Sequence, residues 1–295
     1  MKVSANGLQI EVDDQGPRDA PVVLLVMGLG MQLTGWPEEL VALLVAQGFR
    51  VVRFDNRDAG LSDGFDHAGV PSIPLNALRH ALRLPVRSPY ALEDMAADAI
   101  GVLDALGIAR AHVVGASLGG MISQHLAAQW PERVASLTLI MTTSGSRRLP
   151  GPTLHARRAL MAQPANRELE TLVAHSIRVF TAIGSPGEYR PAPADLRARV
   201  LAHITRAQRP QGSARQLLAI AADGDRTPLL ARIQAPTQVI HGELDPLVPV
   251  ANGRELVKRI PGAQGDFIEG MGHDLPQALL GRIAQGIVRN AQRAS

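Results

Sequence analysis

The chain has 295 residues, 46% hydrophobic and 19% charged, with a formal net charge of +3. That length and balance allow a full core in one large domain or a domain with an insertion, and the absence of cysteine excludes a disulfide framework, a thiolate metal site and a cysteine nucleophile. The basic residues are nearly all arginine, lysine standing only at Lys2 and Lys258, and they are scattered, which argues against a nucleic-acid partner.

Residues 1–21 carry Glu11, Asp13, Asp14 and Asp19 and lack the cationic stretch and apolar run of a secretory signal, so a cytoplasmic location is expected. No apolar run approaches the roughly 18 residues that cross a bilayer, and no membrane partner is expected. Lys2 to Asp14 alternates weakly around Asn6-Gly7, the signal of a two-residue hairpin, and reads as an antiparallel edge. Val22 to Val26 is a continuous aliphatic run that stops before Gly28 and Gly30, as a strand covered on both faces would. Trp36 to Ala46 has helical spacing closed by Gly48, and Arg50 to Phe54 is a further strand. A Gly- and Pro-rich loop is expected over 56–89, then a helix over Ala91 to Leu106.

His112 to Val114 reads as a strand, Leu118 to Trp130 as a helix, and Val134 to Met141 as the next strand. This alternation with short links predicts a parallel, doubly covered sheet. Over 144–225 helical periodicity persists without a buried strand, and prolines cut it into short pieces, so it reads as a helical lid inserted into a core made of 1–143 and 226–295. The α/β rhythm resumes with strand Thr237 to His241, helix Val250 to Arg259, strand Gln264 to Ile268 and a closing helix Leu275 to Arg289.

One stretch carries chemistry. In Gly115-Ala116-Ser117-Leu118-Gly119 a strand passes through Gly-x-Ser-x-Gly directly into a helix, and so sharp a turn holds the serine in strained backbone that exposes its hydroxyl. Gly115 and Gly119 are expected where a Cβ would strike neighbouring chain. A serine hydroxyl needs a base that is itself oriented by an acid. His273, on a glycine-flanked loop after the last strand, and Asp245, after the strand before it, follow Ser117 in the order this chemistry uses on such a sheet. Glu243 is the alternative acid. His80, His155, His175 and His203 read as surface residues, His241 as a strand cap, and Asp274 as a solvated neighbour or helix cap. Two amides should hold the oxyanion, those of Leu118 and of Leu29 in the Gly28 to Gly30 turn. A dinucleotide site is disfavoured because Leu33 stands where a third glycine would.

These residues resemble the α/β-hydrolases and, within them, the methylesterases acting on polyketide antibiotics such as aclacinomycin. The resemblance spans most of the chain. It is carried by Val26-Met27-Gly28-Leu29-Gly30, Asp55 to Ser62, Gly115 to Gly120, Trp130-Pro131-Glu132-Arg133-Val134, His241 to Pro246 and Gly272-His273. Met27 stands where the broad family commonly has a histidine, as in the methylesterase-like branch. The resemblance implies an α/β-hydrolase fold with a mostly parallel sheet, and a loop-bracing role for Asp55, Arg57 and Ser62.

The expected activity is carboxylic ester hydrolysis on a small to medium apolar ester, with Ser117 as nucleophile, His273 as base and Asp245 orienting it, and with no metal or organic cofactor. The same triad also serves carbon–carbon bond hydrolysis, lactone opening, acyl transfer and perhydrolysis, and a non-catalytic ligand receptor is the rival outside enzymology. The insertion, rich in Leu, Ile and Ala, predicts an aliphatic pocket; Arg147, Arg148, Arg157 and Arg158 read as a solvated surface. A homodimer is compatible with the sequence.

Overall fold

The computed structural model describes residues 1–294; Ser295, the last residue of the second core segment read from the sequence, lies outside them. Strands β1 (Lys2–Ala5) and β2 (Leu8–Gln15) pair antiparallel across Asn6 and Gly7. Both turn residues have positive φ, +48° and +78°, which the right-handed twist of a tight hairpin demands and which asparagine and glycine tolerate best. Strands β3 (Val22–Val26), β4 (Arg50–Phe54), β5 (Ala111–Ala116), β6 (Val134–Ile140), β7 (Thr237–Gly242) and β8 (Gln264–Ile268) complete one eight-stranded sheet. Its order is β1-β2-β4-β3-β5-β6-β7-β8, and every pairing from β4 to β8 is parallel. All residues of β3, β4, β6 and β7 are buried, as central strands covered by helices on both faces are; β3 is wholly aliphatic, whereas β4, β6 and β7 also bury polar residues such as Arg53, Thr138 and His241.

Helix α1 (Glu38–Ala46) starts two residues later than the periodicity predicts, because Pro37 breaks the pattern and Leu33–Gly35 forms a separate 3-10 turn. A nine-residue helix, α2 (Ile73–Ala81), lies inside the stretch expected to be loop. Ser72 starts it, its hydroxyl accepting from Leu75 N, and Pro74 falls in the first turn, where the missing N–H does no harm. Next come α3 (Leu92–Ala105) and α4 (Leu118–Gln129). Between β6 and β7 stand the inserted helices α5 (Leu154–Met161), α6 (Leu169–Ile183), α7 (Pro193–Arg206) and α8 (Pro210–Asp223). Pro193 and Pro210 open the last two, so prolines that read as interruptions are helix starts. Short α9 (Thr227–Leu230), α10 (Ala251–Arg259) and α11 (Leu280–Gln292) follow; a 3-10 turn, Gln277–Leu279, occupies the place where the closing helix was expected to begin.

The sheet divides the core. Trp36, Leu40 and Leu44 pack with Ile283 and Ile287 on one face, and Met95, Ala99, Leu103, Ile122 and Leu126 fill the other. The chain leaves β3 toward β4 on one side and later places β5 on the other, so the strand order reverses between β3 and β5. At such a switch point the loops leaving the two strands part and open a crevice at their carboxyl ends. Met27 to Gly30 and Ser117 both lie there.

Candidate active site

Ser117 joins β5 to α4 with φ +53° and ψ −117°, a strained backbone for a residue with a side chain. The strain is held from three sides. Ser117 N donates to Ile140 O at 2.9 Å, Thr142 Oγ1 donates to Ser117 O at 2.6 Å, and the flanking glycines admit close backbone contact. A Cβ on Gly119 would lie 1.9 Å from Val26 O, and one on Gly115 2.4 Å from Gly119 O. The turn is therefore locked by packing, and its hydroxyl points out at the N-terminus of a buried helix whose free amides favour negative charge.

The loop after β8 brings His273 to it. His273 Nε2 lies 3.1 Å from Ser117 Oγ, and Nδ1 lies 2.7 Å from Asp245 Oδ2. The other carboxylate oxygen, Oδ1, accepts from Leu247 N at 2.9 Å and Val248 N at 2.8 Å, so the Asp245 side chain is fixed at both oxygens. A carboxylate at Nδ1 selects the tautomer protonated there and leaves the Nε2 lone pair for the serine proton. Asp245 and His273 are 4% and 8% exposed, dry enough to strengthen that chain of hydrogen bonds. Glu243, the alternative acid, bonds the exposed Arg254 instead.

Histidine 241 is a fully buried residue of β7, not a cap at its end. Nε2 of His241 donates to Val248 O at 2.7 Å and sits 3.6 Å from Asp245 Oδ2, while Nδ1 has no partner. Burial holds its pKa below the usual imidazole range, so it stays neutral and does not compete with His273 for the charge of Asp245. His203 also departs from the surface reading: it is half-buried, its Nδ1 lacks a partner, and desolvation lowers its pKa. Asp274 is neither a cap of α11 nor freely solvated. It accepts from Ser185 Oγ at 2.5 Å, and burial raises its pKa above the ordinary carboxylate value.

The turn of Gly28 to Met31 closes with Met31 N donating to Gly28 O at 3.2 Å, and a Cβ on Gly28 would lie 3.2 Å from that of Ser117. Among the described residues neither Leu29 N nor Leu118 N has an acceptor within the chain. Two buried amides brace this turn. Asn56 Nδ2 donates to Met27 O at 2.9 Å on one side; on the other, Gly30 N donates to Gln216 Oε1 at 2.8 Å while Gln216 Nε2 donates to Arg57 O at 2.7 Å.

Gln216 belongs to α8 and nothing in its local sequence distinguishes it; only the fold shows that the insertion holds the turn. The insertion also holds the histidine loop. His273 N donates to Ile183 O at 2.8 Å, and Gly272 N donates to Ser185 Oγ at 2.8 Å.

Charged pairs clamp α7 and α8 to the core. Arg206 bonds Asp55 Oδ2 at 2.8 Å and also Gln32. Fully buried Arg215 meets Asp58 with two bonds, Nε to Oδ2 at 2.8 Å and Nη2 to Oδ1 at 2.7 Å. Burial pushes the Asp58 carboxyl up, but bonds from Arg215, Phe65 N and the Tyr90 hydroxyl outweigh it and leave the pKa below the usual value. Asp55 also accepts from Leu33 N and Leu61 N, Ser62 Oγ donates to Asp55 O, and Arg57 pairs with buried Asp98. A cavity of about 610 Å³ between α5 and α6, with His155, His175, Arg158, Arg178 and Arg190 among its lining, includes none of Ser117, Asp245 and His273.

The model of the alpha/beta hydrolase fold matches residues 21–276. Rhodomycin D methylesterase DauP of Streptomyces sp. (strain C5) is 32% identical over 299 residues, covering 95% of this chain and 93% of that protein. The 2-hydroxy-6-oxononadienedioate/2-hydroxy-6-oxononatrienedioate hydrolase of Escherichia coli O139:H28 (strain E24377A / ETEC) is 30% identical over 273 residues, 90% of this chain and 85% of that one. Among solved structures, the enol-lactonase from Burkholderia xenovorans LB400 matches with a TM-score of 0.76 at 25% identity, covering 99% of this chain and 100% of that chain.

Proposed function

The chain belongs to the alpha/beta hydrolase family, and from that premise we propose that it hydrolyses a carboxylic ester through an acyl-enzyme. The observation that carries the reading is the unbroken line from Asp245 Oδ2 through His273 to Ser117 Oγ, at 2.7 and 3.1 Å. Ser117 Oγ attacks the ester carbonyl as His273 Nε2 takes its proton, and Asp245 stabilises the imidazolium that results. The amides of Leu29 and Leu118 hold the negative oxygen of the tetrahedral intermediate, each contributing about 3 kcal/mol. His273 returns the proton to the departing alcohol, then activates water to release the acid. None of these steps calls on a metal or an organic cofactor. The inserted helices act as a lid over the site, and likeness to a methylesterase favours a small to medium apolar ester, a methyl ester among them.

Ser117→Ala, assayed on p-nitrophenyl acetate and butyrate, should lose about 10⁵-fold or more in kcat. Undiminished turnover would remove the serine mechanism. The E. coli relative favours a second reading, in which the same three groups cleave an oxo-dienoate. Product analysis on a panel of esters, lactones and oxo-dienoates separates the two, since each releases a different leaving group.

A further inference from the structure

Helix α2 is amphipathic but turned the wrong way for a core helix. Its one buried residue is a polar one, Asn76, whose amide donates to Ser72 O at 3.0 Å and whose carbonyl accepts from Arg87 N at 2.9 Å. The apolar residues face out: Ile73, Leu75, Leu78, Leu82 and Leu84, on the helix and just past it, are between 38% and 61% exposed. Soluble proteins rarely leave so many leucines together in water without a partner for them.

Charge narrows the choice of partner. Residues 67–92 contain no aspartate or glutamate, yet carry Arg79, Arg83 and Arg87. Residues 133–167 are likewise free of acid and carry Arg147, Arg148, Arg157 and Arg158, with Leu154 and Met161 at 63% and 71% exposure. The two stretches touch, Arg147 Nη2 donating to His80 O at 3.0 Å, and Arg79 bonds Pro85 O, so neither arginine's bond goes to a carboxylate. Two copies of this chain meeting through α2 would set these arginines against themselves. An anionic surface would meet them with opposite charge.

We propose that α2 docks on an anionic lipid surface, with its leucines at the headgroup boundary and its arginines on the lipid phosphates. Among the described residues no helix is long and apolar enough to cross a membrane, but an in-plane helix needs only a short apolar face and flanking cations. An in-plane helix needs no spanning run, so the lack of one, on which the expectation of no membrane partner rests, does not bear on α2. Because α2 packs on α8, the helix that carries Gln216, docking would turn the inserted helices toward the phase in which an apolar ester dissolves. The proposal stands on exposure and charge, independent of the serine mechanism.

The test is sedimentation of the full chain with vesicles of equal phosphatidylglycerol and phosphatidylcholine, against vesicles of phosphatidylcholine alone. At low ionic strength the bound fraction should be about tenfold higher on the anionic vesicles and fall several-fold at about 0.5 M salt. Leu78→Ser with Leu82→Ser should abolish the partition while turnover of p-nitrophenyl butyrate in lipid-free buffer stays unchanged; Arg83→Glu with Arg87→Glu should do the same without touching the leucines. Wild-type protein that stays in the supernatant with anionic vesicles overturns the proposal. So does a dimer, seen by light scattering, that the leucine variant dissociates, since the face would then belong to a second copy.

Discussion

The turn that carries Ser117 and the helices inserted between β6 and β7 meet at one edge of the sheet, but they are held there by different forces. The turn is local and steric: Gly115, Ser117 and Gly119 sit within five residues, and backbone atoms of β3 and of the start of α4 occupy the space that side chains on Gly119 and Gly115 would need. The insertion is remote and polar, tied down by Arg215 on Asp58, Arg206 on Asp55 and Gln216 on Gly30, partners more than 150 residues away in the chain. Steric fixing by adjacent residues leaves a motif in the sequence. Fixing by buried hydrogen bonds over such distances leaves isolated polar residues whose partners only the fold reveals.

The sharpest way to break that contrast is to remove a buried charge from the insertion. Arg215→Met keeps most of the volume but strands the Asp58 carboxylate, which is 0% exposed, and should cost about 3–5 kcal/mol, measured as a fall in the urea midpoint. A loss under about 1 kcal/mol would mean that water replaces the arginine and that the clamp is weaker than its burial implies. Next in size is the steric half. Gly119→Ala drives a Cβ into Val26 O, a backbone atom that cannot rotate away, and should cost on the order of 3 kcal/mol. Gly151→Ala, in the insertion with nothing within 4 Å of its Cβ, should be close to neutral and serves as the control.

The same contrast governs how much could be read in advance. All eight strands were legible, β3, β4 and β8 to the residue, because short runs such as Val22–Val26 and Arg50–Phe54 are rich in strand-forming residues and end at turns. The residues that converge on Ser117 were legible because each sits on a glycine-marked loop at a strand's carboxyl end. Helix α2 was not, since its leucines face solvent and the prolines and glycines around it imitate a loop; Ser72 followed by Pro74 was the signal available. Nor were the roles of Gln216 and Ser185, common polar residues without periodicity or motif. Asp274 was misread for a related reason: helix capping is a local rule, whereas its partner Ser185 is 89 residues away.

Gln216 gives a smaller and more specific effect, on rate before stability. Gln216→Ala removes the acceptor of Gly30 N and the donor to Arg57 O, freeing the turn that aims the Leu29 amide. We expect kcat to fall about 10- to 100-fold with little change in KM, since the oxyanion exists only along the reaction path. Gln216→Glu keeps both bonds when protonated and should recover activity as pH falls. A purely structural role would instead lower Tm and leave kcat intact.

The smallest effect sets two carboxylates against each other by sign. Asp58, in the insertion's clamp, has a lowered pKa, so its contribution to stability is present above the unfolded value of about 3.9 and is lost as pH falls through the folded one. Asp274, beside the histidine loop, is raised by burial and behaves in reverse: the folded state binds its proton more tightly, and the stability that gives is lost as pH rises through the folded pKa. Asp274→Asn stays neutral at every pH and can still accept from Ser185 Oγ. Its Tm should equal that of the wild type near pH 4 and exceed it increasingly toward pH 7. A difference that stays constant across that range would mean the Asp274 carboxyl titrates in the fold as it does in the unfolded chain, and the two sides of the site would then differ in geometry but not in their response to protons.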